Sequence, residues 1–402
     1  MSSHRAAPSR LPLCRARWVL ALLACGAPTA AAADLATAQP HELVVGPSRG
    51  FATAPAVDPA RSRHATALPP LDAARVAWHR QVPGGIACNV LVDAEGRTFI
   101  VGIGRITQLG ADGALQYSRA EAFSGALAAA LLADGTRAVL TRDGRVLGWE
   151  PSGAAAFDVS LEVAASASAS TLLPLPDGGV LASTGQWLFD IDATRAVRAY
   201  AALPATAQHT VLAGSRAIVI DEQGRVFEWD RREPLRAIGA FGSAIGASAI
   251  DAGELVALGA RRSLQSMALG DGSVHELVRL DVPGAAPVLG WLGQRRWVLM
   301  KSDGSWSVAE PGVAPQAFGG RAEPGALSDL DLLVDDSGAV AWWASEAALH
   351  VETAPGVGHE LSEVRCTVPT SLAPAGRGRL LAACGSGLVW LVGPDPARDV
   401  DR

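Results

Sequence analysis

Asp93-Ala-Glu-Gly-Arg-Thr-Phe-Ile-Val-Gly-Ile-Gly-Arg-Ile-Thr-Gln-Leu109 and Asp134-Gly-Thr-Arg-Ala-Val-Leu-Thr-Arg-Asp-Gly-Arg-Val-Leu-Gly-Trp149 follow one grammar. Each opens on a polar turn centred on Gly, runs through an apolar strand, turns tightly again and closes on a strand ending in Leu or Trp. The unit returns at 177–189, 214–229, 253–267, 293–306, 337–351 and 376–390. A spacing of roughly 40 residues is the period of propeller blades.

The second strand of each unit is continuously apolar, as in Thr98-Phe-Ile-Val101, Ala217-Ile-Val-Ile220, Trp297-Val-Leu-Met300 and Leu380-Leu-Ala-Ala383. A strand with one wet face must alternate, whereas a strand covered on both faces need not. Blades sandwiched between neighbours meet that condition. Adjacent Trp342 and Trp343 should then send one ring to each neighbouring blade, because successive side chains point to opposite faces. Asp-Gly occurs at 112, 134, 143, 177, 271 and 303, and Asp-Gly between apolar strands signals a tight hairpin. No helical period follows residue 33.

The two ends of the repeat region complete each other. Ala74-Arg-Val-Ala-Trp-His-Arg-Gln-Val82 reads as an outermost strand without inner partners, and Leu388-Val-Trp-Leu-Val392 closes a blade that lacks its outermost strand. Joining them leaves no open sheet edge. The sequence therefore predicts an all-β, eight-bladed β-propeller over residues 73–393, closed by an N-terminal strand that joins the last blade. Seven blades is the alternative, because Ala260-Arg-Arg-Ser replaces the Gly turn in the fifth unit.

Arg5, Arg10, Arg15 and Arg17 precede the apolar run Trp18-Val-Leu-Ala-Leu-Leu-Ala24, and Ala31-Ala-Ala33 precedes Asp34. This pattern predicts a signal peptide over 1–33. Leu22-Leu-Ala-Cys25 offers a rival reading, in which Cys25 is lipidated and tethers the protein to a membrane. Residues 34–72 read as an Ala- and Pro-rich leader, with Glu42-Leu-Val-Val45 as one piece able to pair at a sheet edge. Residues 394–402 read as a C-terminal tail.

The full chain carries a formal charge of −6, and residues 1–33 hold four Arg and no acid, so their removal would leave −10. An acidic chain without basic runs excludes a nucleic-acid partner. Past residue 33 the cysteines are Cys88, Cys366 and Cys384. Cys366 and Cys384 lie symmetrically about a Gly-containing turn at 375–379 and are the favoured disulfide. A bridge from Cys88 to Cys366, or three reduced thiols, are the alternatives.

Units such as Leu173-Pro-Leu-Pro-Asp-Gly-Gly-Val-Leu-Ala182 and Asp221-Glu-Gln-Gly-Arg-Val-Phe-Glu-Trp229 resemble the repeats of the pyrroloquinoline-quinone-like (quinoprotein alcohol dehydrogenase-like) β-propellers. The resemblance spans roughly residues 74–393 and lies in repeat grammar, which other propeller types share. It implies, as its nearest functional picture, an eight-bladed envelope propeller that helps assemble outer-membrane proteins. Quinone-binding members add long insertions, a vicinal disulfide and calcium ligands. This chain has no Cys-Cys pair, so no cofactor is expected.

Other motifs carry less. Gly46-Pro-Ser-Arg-Gly50 matches a nucleophile elbow on paper, but Pro55 and Pro59 deny the helix it needs. Asp329, Asp331, Asp335 and Asp336 lack EF-hand spacing, and His209, His275, His350 and His359 lack metal-ligand spacing, so no metal is expected. Gly102-Ile-Gly104 lies between two strands and is no dinucleotide loop. Trp149, Trp187, Trp229, Trp306 and Trp390 recur at related places; they fill the space between blades or, alternatively, form an exposed glycan-binding ring. The expected function is an exported, non-enzymatic binding or protein-interaction scaffold in the bacterial envelope or outside the cell. Its unknown protein or small ligand would meet one channel mouth, and it would touch a membrane only through lipidation at Cys25. A channel-mouth lyase or hydrolase and a glycan-binding propeller are the alternatives.

Overall fold

The computed structural model describes residues 50–52, 54, 63–167, 169–241, 245–251, 253–259, 263–279, 288–293, 295–301, 304–313, 330–376 and 378–394. The signal-peptide, lipidation and Glu42–Val45 readings, most of the Gly46–Gly50 motif and Asp329 lie outside them.

Eight blades of antiparallel strands follow one another along the chain, each built inner strand first. Their innermost strands are Leu91–Asp93, Ala126–Leu131, Ser170–Pro174, Ala207–Ala213, Ile245–Asp251, Val288–Gly293, Asp331–Asp335 and Pro369–Pro374. The fifth unit is a complete blade of four strands, Ile245–Asp251, Glu254–Gly259, Ser263–Ala268 and Val274–Arg279, so the count is eight and not seven. The sixth blade shows three strands among the described residues. The ring closes as the sequence ends indicate: Val76–Gln81 pairs antiparallel with Leu388–Val392, bringing His79 opposite Trp390 and Gln81 opposite Leu388.

The apolar core lies between blades rather than within any one of them. Trp342 packs with Val298, Met300 and Trp306 of the sixth blade. Trp343 packs with Leu372, Leu380 and Trp390 of the eighth, its ring edge-on to Trp390 at 5.8 Å. Each ring buries on the order of 200 Å², worth roughly 5 kcal/mol of transfer free energy. Glu352 fixes the seam between the sixth and seventh blades by accepting hydrogen bonds from the indoles of Trp306 (2.7 Å) and Trp342 (3.2 Å).

Up-down strand order places the first and third turns of every blade at one end of the ring. The second turns and the links between blades lie at the other. At the first end, arginines of one blade reach carboxylates of the blade before it: Arg137 to Asp93, Arg195 to Asp134, Arg231 to Asp177 and Asp190, and Arg295 to Glu254. Burial works to raise the Asp177 carboxyl, but hydrogen bonds from Arg198 and Arg231 outweigh it and hold the carboxyl below its usual range. Planar guanidinium groups suit such multi-point contacts better than a lysine ammonium.

Candidate functional site

The axis of the ring holds strands from the chain's own N-terminal part. Gly50–Ala52 pairs antiparallel with Leu91–Asp93 on its inner edge. His64–Ala65 pairs parallel with Asp331–Asp335 on the inner edge of the seventh blade. Between them, Ala54 is buried with Leu173, Leu175 and Leu181 of the third blade. An inner edge strand carries unpaired N–H and C=O groups, and these short strands supply partners for some of them. Both are edge additions to their sheets, the position that neighbouring prolines permit.

Three of the acidic residues singled out from the sequence hold this N-terminal strap. Arg63 forms an ion pair with Asp331, whose other oxygen accepts the Leu372 amide at 2.8 Å. Asp335 receives the Leu68 amide on one oxygen at 2.8 Å and the amides of Ser337 and Ala339 on the other. His64 Nε2 lies 3.0 Å from an Asp336 oxygen, and its ring meets Trp291 edge-on at 5.3 Å. The Arg63 carbonyl accepts the Val334 amide at 3.0 Å. The acidic cluster thus anchors a strap and turns a corner.

The four histidines do not converge. His209 is on an innermost strand, His350 on a third strand stacked on Trp342 at 4.0 Å, and His275 and His359 on outermost strands. Among the described residues no three His, Cys, Asp or Glu side chains group as metal ligands. Trp149, Trp229, Trp306 and Trp390 are buried between blades and Trp187 is half-buried, so these five do not form an exposed ring. Gly102–Gly104 makes the tight second turn of the first blade, where Ile103 is 80% exposed. The structure joins Cys366, in the link between the seventh and eighth blades, to Cys384, with Cα atoms 5.8 Å apart. Cys88 is a buried free thiol packed among Leu91, Phe99 and Ala129, and burial pushes it up to about 12.

A cavity of about 420 Å³ opens on the outer wall between the second and third blades. Ser160, Leu161, Glu162 and Val163 form one side, where the outer strand of the second blade runs into the link. Trp187, Phe189, Val197 and Tyr200 form the other, from the last two strands of the third blade. Trp187 and Phe189 are two residues apart on one strand and share a face, and Tyr200 stands opposite Phe189 on the next strand. The sequence offered Trp187 as a filler between blades or as one member of an exposed glycan-binding ring, and neither reading named Phe189 or Tyr200 beside it; the alternation Trp-x-Phe was the signal for its partner on the same face. The link is clamped from below, because Leu161 donates to the Gly144 carbonyl at 2.8 Å and Ala165 to the Arg142 carbonyl at 3.0 Å. A Cβ on Gly144 would collide with the Val163 carbonyl.

Eight sheets arranged inner strand first and closed by a strand from the far end of the repeat region define a β-propeller. No family model matches the chain, and no curated protein matches it. Among solved structures the chain is similar to BamB from Moraxella catarrhalis, with a TM-score of 0.56 and 13% identity over 80% of this chain and 100% of that one. It is also similar to the computationally designed Ika8 protein, with a TM-score of 0.61 and 15% identity over 78% of this chain and 98% of that one. At these identities the likeness establishes the fold alone, and 1346 solved chains match this one, so the likeness selects no activity.

Proposed function

We propose that the chain is an exported, non-enzymatic propeller of the pyrroloquinoline-quinone-like repeat type, acting as a binding and protein-interaction scaffold in the bacterial envelope or outside the cell. The observation that carries the reading is the strap along the axis. Propeller ligands commonly meet loops at a channel mouth, and here the inner edges of the first and seventh blades are already paired with the chain itself. Partners are left the rim and the link end. At the link end Ile103 is 80% exposed and Val368 54% exposed. Gly84 and Gly385 bond to the two turns beside them. Support for export comes from the basic-then-apolar N-terminus and from the Cys366–Cys384 pair, a bond that persists in oxidising compartments. Lipidation at Cys25 is the anchored variant of the same reading.

The test is site-specific photocrosslinking in cells producing the full chain, with the probe at Ile103, at Val368 and, as control, at exposed Ala133 on the opposite end. Expected are adducts to one envelope protein from the first two positions only, on a chain whose mass shows loss of residues 1–33. A full-length chain held in the cytosol without adducts contradicts the proposal.

A further inference from the structure

We propose that the cavity between the second and third blades binds an alkylated ammonium group, such as the trimethylammonium head of choline-type compounds. The inference rests on the cavity itself and stands apart from the scaffold reading.

Three aromatic rings meet there at nearly equal spacing. Ring centroids lie 6.4 Å apart for Trp187 and Phe189, 6.1 Å for Trp187 and Tyr200, and 6.5 Å for Phe189 and Tyr200. Their planes fan by 30° from Trp187 to Phe189 and 36° from Phe189 to Tyr200, against 56° between the outer two. Phe189, 5% exposed, is therefore the floor, and Trp187 and Tyr200 are the walls. A cation seated about 3 Å above the plane of the three centroids would stand roughly 4.7 Å from each, within the ~6 Å reach of a cation–π contact.

Charge selects the sign of the ligand. Among the described residues Glu162 is the one carboxylate or basic side chain lining the cavity. It is held at φ +60, a left-handed backbone conformation that a non-glycine residue adopts only when its surroundings enforce it. The nearby Arg195 is committed elsewhere, to Asp134, to the Gly178 carbonyl and to the face of Phe157. Arg198 is paired with Asp190 and Asp177. Few hydroxyl or amide groups line the cavity, so it is poorly equipped for the many hydrogen bonds of a sugar. Aromatic faces with one carboxylate at the rim match a bulky, weakly hydrated cation. The clamped link and the packed floor keep the site formed before the ligand arrives, which limits the ordering cost of binding.

The test is calorimetric titration of the full chain with choline and with 3,3-dimethylbutan-1-ol, its uncharged isostere. The expected result is saturable choline binding, with the isostere about tenfold weaker because it forfeits the cation–π attraction. Tyr200→Leu, at a side chain 68% exposed, should weaken choline at least about fivefold without shifting the melting temperature, and Glu162→Gln should weaken it about threefold. Flotation with phosphatidylcholine vesicles separates the sources of the group: co-flotation lost in Tyr200→Leu assigns a lipid headgroup, and binding of free choline alone assigns a soluble ligand. Equal affinity for choline and its isostere overturns the proposal. So does choline binding unchanged in Tyr200→Leu, absence of saturation up to tens of millimolar, or saturable quenching by an oligosaccharide where choline gives none.

Discussion

Replacing Asp93 by Asn should destabilise the protein by about 4 kcal/mol, through charge alone and with little change in shape. Asp93 ends the inner strand of the first blade and is nearly buried. Its Oδ1 accepts the Arg97 amide at 2.9 Å, and its Oδ2 accepts Arg97 Nε at 2.7 Å and Arg137 Nη2 at 2.9 Å from the second blade. In Asn one of the oxygens becomes an NH₂ group. With the amide oxygen kept on the turn, that group faces two guanidinium donors. Arg137 is 1% exposed, and burial pushes its guanidinium down from its ordinary value, so a lost partner cannot be replaced by water. A hydrogen bond to a charged group contributes about 1.5–3 kcal/mol. The Arg97 share belongs at the low end because that side chain is 30% exposed, and a buried charge stranded without its partner costs about 3–5 kcal/mol. At about 2.1 cal/mol/K per residue over the roughly 300 described residues, 4 kcal/mol lowers Tm by about 6 °C. Urea denaturation of the wild type, Asp93→Asn, Arg137→Met and the double variant closes the cycle. The double variant should recover about half of the loss, because Met removes the stranded cation. A single-variant loss under about 1 kcal/mol, or strict additivity in the cycle, would refute the claim that this pair ties the first two blades together.

Gly144→Ala should cost at least about 1 kcal/mol more than Gly214→Ala. Both sites have positive φ, but only the first places a Cβ against backbone, while the second has open space. Denaturant midpoints of the two variants check this, and equal losses would deny the clamp beneath the cavity. Cys366→Ser with Cys384→Ser should remove about 2–4 kcal/mol, the usual contribution of a bridge over a separation of 18 residues. Thiol titration of the unreduced chain from residue 34 should find one reactive group after unfolding and none before. Cys88 adds a pH dependence: burial lifts its folded value to about 12 from an ordinary 9.0, so its stabilisation is complete below pH 9 and lost as pH rises through 12. By pH 10 the loss should be about 1.4 kcal/mol, absent in Cys88→Ala, and a flat profile from pH 8 to 11 would count against the buried thiol.

Repeat period, turn chemistry and complementary ends were all local or periodic signals, and they made the ring legible in the sequence. Trp342-Trp343 even announced which faces they would serve. The strap was not legible because Gly50–Ala52 and His64–Ala65 are strands of three and two residues, too short to show a period among prolines. Its anchors, Asp331, Asp335 and Asp336, were visible as an acidic cluster, yet their partners lie more than 250 residues earlier. The arginine contacts between blades were hidden for a related reason. Asp93 and Arg137 are 44 residues apart and Asp134 and Arg195 are 61 apart, spacings set by blade geometry and irregular in sequence. In the aromatic cavity Tyr200 joins Trp187 and Phe189 through its cross-strand pairing with Phe189, a register that neither strand shows by itself, and a bulge between that pair and Ile191↔Val197 brings Val197 to the same lining.

Hydrogen–deuterium exchange of the full chain, read on peptides covering residues 63–68 and 331–335, tests the central claim that the ring is closed and its axis lined by the chain's own N-terminal part. If the strap pairs with the seventh blade, amides on both peptides exchange slowly, as in the blade strands, and Asp335→Ala releases the 63–68 peptide. Exchange of 63–68 within seconds, at the rate of an unpaired leader, would contradict the account.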